Sequence, residues 1–173
     1  MRGLWFYANP TDRQHHEALE RDRLSKFINL ENCQHLALER KAVNAVTYRL
    51  AGRGYRVSPT PPNAPFDLWV EGVKVEVKAS TWRDHQTNGG GRYQANIRNC
   101  AADILIFDCI NGTHHFHIIP MAAIAARHNL AVWSYNPARS KGLWVNYLEA
   151  WGLLDEIVYL SKAIYQPTLS LSL

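Results

Sequence analysis

Asp67, Glu76 and Lys78 are the residues whose types and spacing point most directly to chemistry. In Val73-Lys74-Val75-Glu76-Val77-Lys78 the alternation is strict, with valines at the odd positions and charges at the even ones. On a strand this puts Glu76 and Lys78 on one face, about 7 Å apart along the chain. Phe66-Asp67-Leu68-Trp69-Val70 alternates as well, and Glu71-Gly72 reads as a tight turn, so an antiparallel hairpin is expected. Folding back brings Asp67 beside Glu76. Two carboxylates held that close repel unless a proton or a cation sits between them. Hard oxygen donors suit magnesium or manganese, which keep several waters and bind a phosphate as well. Such an ion lowers the pKa of a bound water and screens the charge on a phosphodiester. An ammonium beside it can orient that water or stabilise a pentavalent phosphate. The alternative for the same residues is a solvated hairpin whose cross-strand charge pairs contribute about 0.2–1 kcal/mol.

The elements that must position these residues follow from periodicity. A helix is expected over 32–50, because Val43, Val46 and Leu50 step by three and four. Glu39 lies four residues before Val43, on the same inward face, which is unusual for an acid. Gly52 and Gly54 stop that helix, and Tyr55-Arg56-Val57 reads as a first strand. Prolines at 59, 61, 62 and 65 make a rigid extended loop. Farther on, Ile104-Leu105-Ile106-Phe107 suits a strand buried on both faces, and Asn111-Gly112 turns the chain into another over 115–119. Pro120 opens a helix expected over 121–128, and a short strand over 131–133 follows. Trp144, Tyr147, Leu148 and Trp151 have helical spacing, as core or as a dimer face. The order of helix, strands and helix gives an α/β fold around a mixed sheet.

The segment PNAPFDLWVEGVKVEVKAS resembles the PD-(D/E)XK nuclease superfamily, with Asp67 and Glu76-Val77-Lys78 as its motif. Pro65-Phe66-Asp67 stands where the family has Pro-Asp. Glu39 matches the further acid that members supply from the preceding helix. ADILIFDCINGTHHFHIIP also looks like these enzymes, and the resemblance spans residues 33–128. It implies a restriction-endonuclease-like mixed central β-sheet flanked by helices, and Mg2+-dependent hydrolysis of DNA, with Mn2+ able to substitute. Asp67, Glu76 and the backbone carbonyl of Val77 would hold the metal, and Glu39 a second ion or a water on the first. Lys78 would position the attacking water, leaving a 5′-phosphate, and Gln94 would complete the catalytic set. A homing or restriction-type endonuclease is the first reading. A Holliday-junction resolvase and a non-cleaving nucleic-acid-binding module stay open beside it. Cutting both strands of a duplex implies a homodimer or higher homo-oligomer. The expected organisation is an N-terminal helical extension over 1–32, the nuclease core over 33–135, and a C-terminal helix and tail over 136–173 on the same domain.

Residues around the motif supply the expected DNA contacts. Arg83, Arg92 and Arg98 are cations near the site in sequence, and Ser80 and Thr81 can donate to phosphate or base edges. The Asn88-Gly89-Gly90-Gly91 run reads as a loop, and Gly90 and Gly91 would let the backbone approach a phosphate. With 173 residues and a net charge of +4, the chain is one domain whose surface tolerates polyanions. No apolar run is long enough to span a bilayer. The start, MRGLWFYANPTDRQ, shows neither the h-region nor the cleavage site of a signal peptide. Cys33, Cys100 and Cys109 are odd in number and widely spaced, so free thiols in a reducing, cytoplasmic compartment are expected. Cys109 with His115 and His117 is a zinc arrangement to be weighed against solvated strand histidines.

Overall fold

The structure is a computed structural model that describes residues 30–61, 63–85, 90–98, 100–124, 127–139 and 141–165. The expected N-terminal extension, the loop residues Asn88 and Gly89 and the last eight residues lie outside these, except that 30–32 begin the first helix.

That helix, α1 (Leu30–Gly52), presents Ala42, Val46 and Leu50 as a fully buried stripe, each large member contributing about 1.5–3 kcal/mol by burial. It ends where Gly54 takes φ +87° and Tyr55 N–H donates back to the Leu50 carbonyl. Strand β1 (Val57–Pro59) starts two residues later than the sequence suggested. The proline loop is closed by Thr60, whose N–H donates to the Asp67 carbonyl and whose hydroxyl reaches the Phe66 carbonyl at 2.6 Å. Strands β2 (Leu68–Val70) and β3 (Val73–Thr81) form the expected hairpin, with Val70 facing Val73. Glu71 and Gly72 both have positive φ, 51° and 92°, the type I′ geometry that matches strand twist.

Strand β6 (Ile104–Ile110) is buried throughout and lies parallel to β3, Val77 facing Ile106. Strand β7 (His114–Pro120) returns antiparallel to it. The main sheet therefore runs β1-β2-β3-β6-β7. Between β3 and β6 the chain makes β4 (Arg83–His85) and β5 (Gly90–Asn96), and β8 (Asn129–Val132) pairs with β5 to complete a second, three-stranded sheet. Gly90 and Gly91 thus begin a strand, and Gly91 is buried against Trp82.

Alternation sorts the side chains into two cores. Val73, Val75, Val77, Ile104 and Ile106 pack under α1 and under α2 (Gly152–Tyr165), which adds Leu154 and Val158. Leu105, Phe107, Cys109 and Ile119 point the other way and pack against Tyr93, Leu130 and Val132 of the second sheet. Both helices thus cover one face, and the three-stranded sheet covers the other. This is a mixed α/β fold with a five-stranded central sheet.

Two expected helices are absent among the described residues. Residues 121–123 make only a single 3-10 turn before β8, and 145–147 make another. Trp144 and Trp151 have helical spacing but enter different cores, Trp144 the second and Trp151 the first. The chain crosses from one layer to the other between them. Glu149, at φ 51°, marks the crossing: its N–H donates to the Phe116 carbonyl, and its carboxylate accepts from Phe116 N–H and from the Trp151 indole.

Candidate active site

Each member of the expected site is fixed by a different local rule. Asp67 ends the loop that Thr60 closes, and its backbone N–H donates to the Val75 carbonyl. Its carboxylate accepts the Val77 N–H at 2.8 Å, so the hairpin ties it to the middle of β3. Strand geometry turns the Val77 carbonyl to the same edge as its N–H, towards Asp67. Glu76 and Lys78 leave the opposite face from the valines, and Lys78 Nζ lies 2.6 Å from Glu76 Oε1. Glu39 comes from α1, which covers the valine face. It lies 4.0 Å from Lys78 Nζ. The two faces communicate at the edge of β3 beyond Val75, where the β2 ladder has ended.

Glu76 is only 8% exposed. Burial, and then the nearby charge of Asp67, raise its pKa above the ordinary carboxylate range, although Lys78 opposes this. For Lys78, burial pulls the pKa down, but Glu76, Glu39 and Asp67 outweigh it and leave the ammonium above its usual value. Three acids therefore act on one cationic spot. Among the described residues, no group of three or more His, Cys, Asp or Glu side chains is drawn close enough to grip a metal ion as it stands. The ammonium of Lys78 holds the position between the acids.

Lys78 and Glu39 open into a cleft of about 930 Å³ between the start of α1, the end of β3 and strand β5. Thr81, Arg83, Gln94 and Arg98 line it. Ser80 also lines it but is buried, and its hydroxyl accepts the Gln94 N–H at 3.0 Å and donates to the Thr81 carbonyl. Its place is therefore a strut between the two sheets, not a free donor. Gly91 is likewise under Trp82 and not at the cleft surface, whereas Gly90 is exposed. Arg92 stacks over Trp133 at 4.9 Å. Sequence reasoning missed His35, which lines the cleft with its Nδ1 3.6 Å from Glu39 Oε1. Its position four residues before Glu39 was the available signal.

The zinc arrangement does not form. His117 Nδ1 lies 3.9 Å from Cys109 Sγ, but His115 is engaged with Asn111 and Thr113. Burial lowers the His117 pKa to about 4 and raises that of the Cys109 thiol. Both are neutral core groups at pH 7. Among the described residues, no helix is long and apolar enough to cross a membrane.

No protein-family model and no curated protein matches the chain. Among solved structures it is similar to a bacterial homing endonuclease, with a TM-score of 0.57 and 17% identity, over 73% of this chain and 96% of that one. At that identity the likeness is one of fold. The mixed α/β fold, with its five-stranded sheet and covering helices, is thus similar to one that a nuclease uses.

Proposed function

We propose that the chain is a metal-dependent DNA endonuclease of the PD-(D/E)XK type, homing or restriction-like, that hydrolyses phosphodiester bonds in the Glu39–Lys78 cleft. The observation that carries this reading is the meeting of Glu76 and Glu39 on the Lys78 ammonium, with Asp67 close enough to raise the Glu76 pKa. The nuclease-like fold supports it. Acids that repel one another in a half-buried site gain from a divalent cation.

Asp67, Glu76 and the Val77 carbonyl are the groups that would hold Mg2+, or Mn2+ in its place, with Glu39 on a second ion or a water. When bound, the ion supplies Lewis-acid activation of water and screening of phosphate charge. The other contributions belong to the chain. Val77 N–H fixes the Asp67 carboxylate at 2.8 Å, so the acid is oriented before any ligand arrives. Lys78 carries a fixed positive charge at the floor of the cleft, suited to aligning a water or a non-bridging oxygen. Gln94 and Thr81 present amide and hydroxyl groups from the walls, and Arg83 and Arg98 place charge for the flanking phosphates. In-line displacement would leave a 5′-phosphate. A duplex has two strands, so we propose a homodimer or higher homo-oligomer as the working unit.

The test is incubation with supercoiled and branched DNA, with and without magnesium, for the native chain, Asp67→Asn and Lys78→Ala. Cleavage of the plasmid that requires magnesium and both side chains is expected. Gel retardation without cleavage in any condition would replace this reading by a binding module. Cutting confined to branched DNA would replace it by a junction resolvase.

A further inference from the structure

A second cleft, of about 570 Å³, lies at the outer rim of the three-stranded sheet. Its cations are Arg127, Arg139 and Lys141, and among the described residues no acid lines it. Trp133, at 63% exposed, and Leu143 are the exposed large apolar side chains of its lining. One face of the Trp133 indole is covered by Arg92, and Arg127 lies over the Trp144 ring at 5.5 Å. Exposed tryptophan set among arginine and lysine is the chemistry that grips a nucleic-acid strand, charge on phosphate and ring on sugar or base.

Register connects this cleft to the first. Gln94 and Asn96 line the active-site cleft, and their partners across the β5–β8 ladder, Ala131 and Asn129, line the second. Cross-strand partners share a face and stand about 5 Å apart. The two clefts are therefore neighbours across one strand pair, and a polyanion leaving the first runs onto the second.

We infer that the groove formed by Arg127, Arg139, Lys141 and Trp133 is a second nucleic-acid contact, holding the backbone of the DNA flanking the cleaved bond. The inference rests on the nuclease reading for its substrate class but not for its catalytic residues. It makes DNA length a determinant of affinity.

The test compares a short duplex, which fills only the catalytic cleft, with a long one, using the native chain, the double variant Arg139→Ala/Lys141→Ala, and Trp133→Ala. All three side chains are exposed, and circular dichroism checks the fold. The double variant should bind the long duplex at least tenfold more weakly. Its plot of log affinity against log salt should flatten by about 0.9 for each phosphate that is no longer neutralised. Trp133→Ala should weaken long-duplex binding with the salt slope unchanged. Short-duplex affinity should stay at the native value for both. Native affinity and slope in the double variant on the long duplex would overturn the inference. A native chain that never cleaves, with the double variant still losing long-duplex affinity and salt slope, would uphold the second nucleic-acid contact and remove the nuclease reading alone. A native chain that binds neither duplex would remove both.

Discussion

The Lys78 ammonium is the group on which the site's electrostatics turn. The hairpin sets Asp67 against Glu76, and burial first, then the charge of Asp67, raise the pKa of Glu76. An acid whose folded pKa lies above its unfolded value subtracts stability as pH rises through the ordinary carboxylate range towards the folded pKa. Asp67→Asn keeps an oxygen for the Val77 N–H but removes the opposing charge. Without metal at pH 7 the variant should therefore melt higher than the native chain. A relief of about 1 kcal/mol corresponds to about 2–4 °C in a domain of this size. Cleavage should fall by about 10²-fold or more. A lower melting temperature in EDTA would show that the Asp67 charge itself holds the hairpin. Lys78→Met works in the opposite sense, leaving Glu76 buried beside two acids without its cation. Lys78 is about a quarter exposed, so solvent blunts the penalty below that of a fully buried pair. We expect a loss on the order of 2 kcal/mol at pH 7 by urea denaturation, shrinking as pH falls and Glu76 takes up a proton.

At the scale of elements, the hairpin is held from outside the site. Glu71, in its turn, accepts from the Arg56 side chain and backbone and lies 3.0 Å from Lys162 of α2. The Arg56 hydrogen bonds are the main reason the Glu71 pKa falls to about 2, with Lys162 adding to them. A depressed acid contributes stability above its unfolded pKa and loses it as pH falls towards the folded one. The native chain should thus lose stability between about pH 4.5 and pH 2. Glu71→Gln should be less stable at pH 7 and lack that part of the slope, as read from melting temperature against pH. The hairpin, α1 and the buried β6 were legible in the sequence because a period of two, a period of three to four and an unbroken apolar run each have one structural meaning. Glu39 was legible for the same reason, as an acid on an apolar stripe. Of the second sheet only β8 was, as the short strand expected over 131–133: Arg83-Asp84-His85 has no apolar alternation, and the glycines at 89–91 read as loop. Tyr93, Ala95 and Ile97 did alternate, but only the fold shows that they cover Leu105 and Phe107. The spacing of Trp144 and Trp151 misled because helical periodicity and a crossing between layers can place aromatics at the same interval.

The whole molecule gathers its candidate chemistry where its layers meet. Helix α1, the end of β3 and strand β5 each bring side chains that none of the others could supply, so the cleft exists only when all the layers are packed. A cation that binds there binds the native state and not the unfolded chain, and so must stabilise the entire fold. On the proposed function, the repulsion of the acids without metal and their use with it then become one measurable quantity. Magnesium at a hundred times its dissociation constant adds about 2.7 kcal/mol, which in a chain of this size raises the melting temperature by about 5–10 °C. The rise should grow with the logarithm of magnesium concentration, reverse on adding EDTA and vanish in Asp67→Asn, whose own melting temperature starts higher. Calcium should act likewise, because stabilisation needs binding and not turnover. An equal rise in native chain and variant would place the ion elsewhere on the surface, and the acids of the hairpin would then have to be explained by Lys78 alone.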